Sequence, residues 1–284
     1  MTDFRMVVLS DTHVSRTHPL FFHNFDVAVD AVTALKPDVA VVTGDLSLNG
    51  PDVPEDLDFA AAQLKRLGAV HMVPGNHDVG YSPAAESAEQ KMTEARREAY
   101  LSRVGADFWQ VDRGQWRFIG LNPFLFESGL AAEAEQRAMV VDALTHDGPV
   151  AVFTHVPFFA EHPDEDDVDT SATVTPGPRA DYLGLFRAAN VRFVVSGHLH
   201  RQKQMSVDGI THIWAPGTAF MSSSHGRWGG LPWVGFLEIH FSGDRFSVRT
   251  HEPEDMINMD LRNWTRGEGH RYFRVIEHPY RTPA

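Results

Sequence analysis

An α/β fold containing parallel strands is predicted by the order of hydrophobic patterns along this 284-residue sequence. Short, β-branched apolar segments, typical of strands buried on both faces, alternate with amphipathic segments of helical period. The first three strands are predicted at residues 5–10, 38–43 and 69–73. The hydrophobic content of 43% is sufficient for the core of such a domain.

The helices follow from apolar residues spaced three and four positions apart. Asn24 is predicted to cap the first helix. The apolar face of that helix contains Phe25, Val29, Val32 and Leu35. Further helices are predicted at 55–67, within 84–104, at 133–144 and at 181–189. Later strands are predicted at 108–111, 116–121, 150–154, 191–196, 210–215, 234–241 and 245–250. The last three are expected to form an antiparallel edge or a second sheet.

The composition excludes several classes of protein. Because the chain has no cysteine, it forms no disulfide or thiolate metal site, and any metal must be bound by carboxylate, imidazole or amide groups. The net charge of −13 disfavours nucleic acid as a partner, since nucleic-acid binding requires a clustered basic surface. No stretch approaches the roughly 20 apolar residues of a membrane helix, and the first residues lack the features of a secretory signal. We therefore expect a cytoplasmic protein without a membrane span.

Polar motifs follow five of the predicted strands, at the point where each strand ends. They are Asp11-Thr12-His13, Gly44-Asp45, Gly75-Asn76-His77-Asp78, His155 and Gly197-His198-Leu199-His200. Taken singly each motif is weak, because a strand-terminal Asp or Asn is often a turn former and a lone His often packs in the core. Ligands bind at the carboxyl edge of α/β sheets, however, so five segments far apart in sequence can converge there. The complete series therefore predicts a metal site.

The ordered series D-x-H, G-D, G-N-H-D, H and G-H-x-H resembles the calcineurin-like metallophosphoesterase family over about residues 6–200. Within the family the sequence is most similar to the bacterial class III cyclic nucleotide phosphodiesterases and glycerophosphodiesterases. The resemblance implies a four-layer αββα sandwich of two mixed sheets. We assign residues 1–251 to this domain, and residues 252–284 to a C-terminal extension that packs on it or forms a subunit contact.

The resemblance also implies a dinuclear metal centre in which Asp45 bridges both ions. One ion is then bound by Asp11, His13, Asp45 and His200, and the other by Asp45, Asn76, His155 and His198. By similarity, His77 and Asn76 lie close to the phosphate, and His77 hydrogen-bonds it or protonates the leaving oxygen, with Asp78 as an orienting partner. Mixed imidazole and oxygen ligation favours Mn or Fe, with Zn or Co as alternatives.

Three further sets of residues near the motifs are candidates for contact with a substrate or metal. His225 and Arg227, on a glycine-rich loop, are candidates for binding a phosphate. Phe124, Phe126, Phe158 and Phe159 flank the motifs and wall the substrate site or belong to the core. The acidic segment 161–170 is expected to be solvated, with a substrate lid or an extra metal site as the alternative.

The expected activity is hydrolysis of a small phosphodiester, a cyclic nucleotide or a glycerophosphodiester, by attack of a metal-bound hydroxide. The alternatives are a phosphomonoesterase or protein phosphatase, a nuclease, and a non-catalytic interaction module with a phosphoesterase fold. A nuclease should have a basic groove, which the charge argues against. A homo-oligomer is compatible with the sequence.

Overall fold

The computed structural model describes residues 3–18, 20–85, 90–165 and 169–260. Within these residues the strands are β1 (Phe4–Leu9), β2 (Val39–Thr43), β3 (Val70–Val73), β4 (Trp109–Arg113), β5 (Trp116–Gly120), β6 (Val150–Phe153), β7 (Val191–Ser196), β8 (Lys203–Val207), β9 (Ile210–Trp214), β10 (Phe236–Ser242) and β11 (Arg245–His251). The helices are α1 (Leu20–Leu35), α2 (Pro54–Leu64), α3 (Asn76–Val79), α4 (Glu94–Arg103), α5 (Ala131–Ala143) and α6 (Pro176–Ala188). Short 3-10 helices occupy Lys65–Leu67, Pro123–Leu125 and Ser224–Trp228.

The strands form two mixed sheets. The first has the order β11-β10-β1-β2-β3, in which β1, β2 and β3 are parallel and β10 and β11 extend it in antiparallel fashion. The second has the order β4-β5-β6-β7-β9-β8, with parallel strands in the middle and antiparallel strands at both edges. In each sheet the central parallel strands therefore present their carboxyl ends at one edge.

Both faces of the sheets are buried, which explains the continuous apolar strands of the sequence. In β1, Met6 and Val8 pack in the cluster between the two sheets, together with residues such as Phe118 of the second sheet. The alternate residue Val7 packs in the cluster that contains Phe25 of α1. This alternation places helices outside a central pair of sheets, and the predicted α/β sandwich of two mixed sheets is confirmed.

Each predicted strand is found within two residues of its expected bounds. The expected grouping of the last three is wrong in one respect, because β9 pairs with the parallel strand β7 of the second sheet, and only β10 and β11 form an antiparallel edge of the first. The strand β8 was not predicted. Helix α6 begins at Pro176, five residues earlier than expected, since proline is tolerated in the first turn of a helix.

The prediction that Asn24 caps the first helix is wrong. Helix α1 begins at Leu20, so Asn24 lies inside it. The side-chain Nδ2 of Asn24 donates to the carbonyl oxygens of Ala219 (2.9 Å) and Ile257 (2.8 Å), and its Oδ1 accepts from the backbone N of Ile257 (2.7 Å). This polar side chain therefore connects the helix to the segment after β11 instead of starting the helix.

The described part of the expected extension, residues 252–260, lies against the domain. Met259 is buried, and its carbonyl oxygen accepts from the backbone N of Met221 (2.8 Å). Residues 261–284 lie outside the described residues, so the boundary at 251 stays a prediction. None of the described helices combines the length and apolar character needed to cross a membrane.

A buried histidine on β9 gives the fold a testable pH dependence. Burial lowers the pKa of His212 to about 4, against an opposing effect of Asp208, and the ring packs 4.6 Å from that of Phe159. Since the unfolded chain has a histidine pKa of about 6.5, protonation between pH 6.5 and 4 favours unfolding. Stability is therefore complete above about pH 6.5 and falls as the pH drops toward 4.

We expect His212→Leu to remove this contribution. In urea titrations of the metal-free proteins, the free energy of unfolding of the wild type should fall by up to about 3 kcal/mol more than that of the variant between pH 7 and pH 4. If the free energy of unfolding changed equally with pH in the wild type and in the variant, the burial of a neutral imidazole at residue 212 would be contradicted.

Candidate metal centre

The carboxylate of Asp45 lies where two clusters of side chains meet. Asp45 follows β2 and is only 2% exposed. Its Oδ2 is 3.5 Å from Nε2 of His13, and its Oδ1 is 3.4 Å from Nε2 of His155. The two clusters are Asp11, His13, Asp45 and His200, and Asp45, His155 and His198; within each, the ligand atoms lie within 4.8 Å of one another. Each oxygen of one carboxylate thus faces a different cluster.

Asn76 completes the second cluster. It is the first residue of the one-turn helix α3, which follows β3, and it is buried. Its Oδ1 lies 3.2 Å from Nε2 of His155. The structure therefore brings together all seven side chains that the sequence proposes as ligands, although their role in binding metal stays a prediction.

Backbone carbonyls fix the imidazoles in the orientation that a metal ligand needs. Nδ1 of His155 lies 2.7 Å from the Thr43 carbonyl oxygen, and Nδ1 of His200 lies 2.8 Å from that of Phe220. Nε2 of His198 lies 2.7 Å from the carbonyl oxygen of Ser171. Because a carbonyl accepts only from an N–H, each outer nitrogen carries a proton, which leaves each inner nitrogen as the position for a metal ion.

The inner nitrogens of His155 and His198 converge on one place, which a metal ion, or in its absence the proton that Asp45 holds on His155, can occupy. Nδ1 of His198 and Nε2 of His155 are 3.2 Å apart, and Oδ1 of Asn76 is a further acceptor at the same place. Lone pairs that converge in a buried site require a cation among them. Imidazole, carboxylate and amide donors of this kind suit first-row transition metals, so the residues fit two metal ions.

The backbone at the site is strained. Among the described non-glycine residues, eight have a positive φ, and five of these are candidate ligands. They are Asp11 (53°), His13 (44°), Asp45 (50°), His198 (70°) and His200 (51°). Such conformations are costly for residues with a side chain and concentrate at functional sites. The neighbouring glycines allow the close approach, because a Cβ at Gly75 would overlap the Asp45 carboxylate.

The charges at the centre favour a cation beside Asp45. Burial lowers the pKa of His13 well below its ordinary value, so this imidazole is neutral and can act as a ligand. Burial alone would raise the pKa of Asp45, but the neighbouring His155 and His77 hold it well below its usual range. Burial likewise opposes protonation of His155, yet Asp45 raises the pKa of that imidazole to about 9. Proton and metal ion therefore compete for this position.

His77 lies beside the two clusters and belongs to neither. Its backbone N donates to Oδ1 of Asp45 (2.9 Å), and its ring Nδ1 lies 2.7 Å from the carbonyl oxygen of Leu48. The ring is half-buried and meets that of His13 edge-on, with centroids 4.8 Å apart. The nitrogen Nε2 therefore remains for a substrate.

The Asp78 carboxylate contacts backbone groups, and its role as an orienting partner of His77 stays a prediction. The Asp78 carboxylate accepts from the backbone N of Leu46 (3.0 Å), Ser47 (2.9 Å) and Gly75 (2.8 Å). Asp78 stands at the third position of α3, where an acidic side chain caps the helix start, a signal that the sequence contains. Burial, and then the charge of Asp45, raise the pKa of Asp78 to about 6. Asp78 thus joins the loops that carry Asp45 and Asn76.

The acidic segment is less solvated than expected. The side chain of Glu165 turns inward, accepts from the backbone N of Ala160 (2.9 Å) and pairs with the buried Arg179 (3.2 Å). Residues 166–168 lie outside the described part of the chain. After them, Ser171 supplies the carbonyl that contacts His198. Sequence reasoning missed this contact, because a loop carbonyl has no signal in a residue pattern.

The candidate residues on the glycine-rich loop and the four candidate phenylalanines differ in where they lie. Arg227 pairs with Asp169 (2.6 Å) and stacks on Trp228, with its guanidinium 4.2 Å from the ring centroid. Its role in substrate binding stays a prediction. The side chain of His225 lies outside the described residues. All four phenylalanines pack in the hydrophobic core, and Phe124 and Phe126 also line a pocket next to the second cluster.

Comparison with known proteins identifies the family. The sequence matches the calcineurin-like phosphoesterase family over residues 4–202, and the chain belongs to that family. The matched region contains every candidate ligand. The fold, the family and the cluster of histidine and aspartate side chains together define a metallophosphoesterase.

Two curated relatives differ in activity. Serine/threonine-protein phosphatase CPPED1 of Homo sapiens is 30% identical over 190 residues, a match that covers 61% of this chain and 57% of CPPED1. The probable glycerophosphodiester phosphodiesterase GpdQ of Arcobacter nitrofigilis is 26% identical over 211 residues, covering 69% of this chain and 71% of GpdQ. The match thus spans little more than half the length of CPPED1.

A solved structure supports the fold. The purple acid phosphatase PPD1 from yellow lupin seeds superposes with a TM-score of 0.62, covering 91% of this chain and 53% of that one. At 13% identity this likeness shows the architecture alone.

The geometry predicts different metal losses for two ligand replacements. Asp45→Ala should reduce the manganese content from about two ions per chain to fewer than one, because Asp45 serves both clusters. His198→Ala should retain about one ion, since the first cluster stays complete. Elemental analysis, after the proteins are loaded with manganese and passed through gel filtration, measures the metal content of both variants. Glu238→Gln, which alters a buried carboxylate on β10, is the matched control and should retain two ions. Equal metal content in the Asp45 and His198 variants would contradict a shared ligand.

Proposed function

We propose that this chain is a dinuclear metal-dependent phosphodiesterase that hydrolyses a small phosphodiester, such as a cyclic nucleotide or a glycerophosphodiester. The observation that carries the proposal is the Asp45 carboxylate, whose two oxygens face one cluster each. Mn or Fe is the metal we propose, with Zn or Co as alternatives.

The chemistry needs both the metals and the side chains beside them. Two cations held by these ligands would polarise a phosphoryl group and would supply a nucleophile from water at neutral pH. Oδ1 of Asn76 faces the second cluster, which leaves its Nδ2 as a donor for a phosphate oxygen. Asp45 lies in both clusters and also accepts from the backbone N of His77, so one side chain positions both the metal site and the residue proposed to contact the phosphate.

His77 is placed to assist the leaving group. The Leu48 carbonyl holds Nδ1–H, so a protonated ring can donate from Nε2 to the departing oxygen. A positioned acid of this kind contributes about 10²–10⁴-fold, a minor share of the acceleration that phosphate esters require.

Three cations in the described segments after His200 contact groups of the protein itself. Arg201 donates to the carbonyl oxygens of Ser222 (3.2 Å), Gly229 and Gly230 (2.6 Å each). Lys203 donates to those of Ala160 and Trp228 (2.8 Å each), and Arg227 pairs with Asp169. Arg201 and Lys203 keep their positive charge, because the carbonyls that they contact are neutral, so the assay of substrate preference separates a diester from a monoester.

A phosphomonoesterase or protein phosphatase is the second candidate, and the 30% identity to CPPED1 favours it. A non-catalytic interaction module is less well supported, because each of the seven proposed ligand positions holds a metal-competent side chain.

Substrate preference distinguishes the two enzymatic candidates. After removal of metal and restoration with manganese, we expect kcat/KM for bis(p-nitrophenyl) phosphate to exceed that for p-nitrophenyl phosphate by about 10-fold or more. Asp45→Ala, purified in parallel, controls for contaminating phosphatases and should be inactive. A preference for the monoester would favour the second candidate, and inactivity of the metal-loaded protein with both would overturn the proposal.

Replacement of His77 tests its role as an acid. His77→Gln should lower kcat by about 10²–10³-fold with a glycerophosphodiester, whose alcohol leaves poorly. The loss should be smaller with bis(p-nitrophenyl) phosphate, because p-nitrophenolate leaves without a proton. Metal content should not change. His146→Gln, on a half-buried histidine whose ring contacts the Gln115 carbonyl (2.9 Å), is the control. An equal loss with both substrates would show that His77 acts only by binding the phosphate.

A further inference from the structure

The imidazole of His198 is oriented by a loop, whereas two of the other imidazoles are oriented by buried residues. The carbonyls that contact those two belong to Thr43, the last residue of β2, and to Phe220, and both residues are buried. Nε2 of His198 instead lies 2.7 Å from the carbonyl oxygen of Ser171, a half-buried residue in the turn between β6 and α6. The orientation of His198 therefore depends on how this turn is held.

Asp169 fixes the peptide unit that contains the Ser171 carbonyl. That unit joins Ser171 to Ala172, and because a trans peptide is planar, its C=O and its N–H point in opposite directions. The N–H end, on Ala172, donates to the carbonyl oxygen of Asp169 (2.8 Å). In addition, Oδ1 of Asp169 accepts from the backbone N (3.1 Å) and from the hydroxyl (2.5 Å) of Ser171. Asp169 thus determines the direction in which the Ser171 carbonyl points.

Apolar packing holds the same turn against the segment that carries His198. Ala172 is buried in one hydrophobic cluster with Leu199, the residue after His198. Apolar contact is not directional, so it keeps the turn nearby without fixing which way a peptide unit faces. Hydrogen bonds are directional, which leaves that orientation to the bonds that Asp169 makes.

The other carboxylate oxygen of Asp169 contacts a different loop. Oδ2 accepts from the guanidinium of Arg227 (2.6 Å), which lies 4.2 Å from the ring centroid of Trp228. The pair is partly solvated, since 36% of the Asp169 side chain and 59% of the Arg227 side chain are exposed. Because exposed ion pairs stabilise weakly, the bonds to Ser171 do most of the positioning and Arg227 does less.

We propose that Asp169 is a positioning residue for the second metal ion. Through the Ser171 carbonyl it aims Nδ1 of His198 into the second cluster. Loss of an outer hydrogen bond of this kind lowers metal affinity by about 10- to 100-fold. The inference rests on the dinuclear centre of the proposed function, and it makes the second ion dependent on Asp169 and the first ion independent of it.

Calorimetric measurement of Mn²⁺ binding to the metal-free full chain tests the proposal. Asp169→Ala should weaken the binding of one of the two ions by about 10- to 100-fold and leave that of the other unchanged. His198→Ala identifies the ions, because the ion that it retains belongs to the first cluster. Unchanged binding at the first cluster also shows that the Asp169 variant is folded, since a misfolded chain would lose both ions.

Two further substitutions separate position from charge. Asp169→Asn keeps an oxygen that accepts from Ser171 but loses the negative charge, so the affinity for the second ion should stay within about 5-fold of the wild type. Asp169→Glu keeps the charge but moves the carboxylate by one methylene, so it should resemble Asp169→Ala. The opposite order, with wild-type affinity in Asp169→Glu and the loss in Asp169→Asn, would show an effect of charge alone and would overturn the proposal.

Asp181→Ala is the matched control, because Asp181 on α6 forms a similarly exposed ion pair with Arg137 on α5 (2.8 Å). It should bind both ions as the wild type does. Turnover of bis(p-nitrophenyl) phosphate gives a second readout. In Asp169→Ala the Mn²⁺ concentration for half-maximal rate should rise by the same factor as the dissociation constant, whereas kcat at saturating Mn²⁺ should stay within about 3-fold of the wild type.

The possible failures are distinguishable. Wild-type affinity for both ions in Asp169→Ala, or an equal weakening of both ions in Asp169→Ala and in Asp169→Glu, would overturn the role of Asp169 and leave the phosphodiesterase intact. Binding of a single Mn²⁺ ion by the wild type would instead overturn the dinuclear centre, and with it the proposed function.

Discussion

The buried carboxylate of Asp45 determines the arrangement of the whole site. A charge removed from water is costly unless opposite charge and hydrogen-bond donors surround it. Asp45 receives the backbone N–H of His77 on the oxygen that also faces His155, while its other oxygen faces His13. A single negative charge between two sets of imidazoles attracts cations on both sides, so the geometry that stabilises Asp45 also creates two binding positions.

Both sheets contribute side chains to the candidate metal centre. Strands β1, β2 and β3 of the first sheet precede Asp11, Asp45 and Asn76, and strands β6 and β7 of the second precede His155 and His198. The apolar cluster between the sheets holds them at a fixed distance, and close-packed cores deform little. The positive φ angles of five candidate ligands are maintained by this rigid frame, which a flexible loop could not do.

Much of the fold could be predicted because buried parallel strands have a strong apolar signature and their ends lie at one edge. Strand β8 was missed because Lys203–Val207 is only partly buried and carries few β-branched residues. Asn24 was misplaced because its polar side chain is used in a tertiary contact with Ile257, which local sequence does not reveal. In the site, the identities of the proposed ligands were predictable, whereas the carbonyls that orient them depend on how distant loops meet.

Anomalous diffraction from crystals of the manganese-loaded protein tests the central role of Asp45 most directly. The account predicts two peaks about 3.5–4 Å apart, each within about 2.2 Å of a different oxygen of the Asp45 carboxylate. A single peak, or two peaks that leave Asp45 uncoordinated, would contradict it.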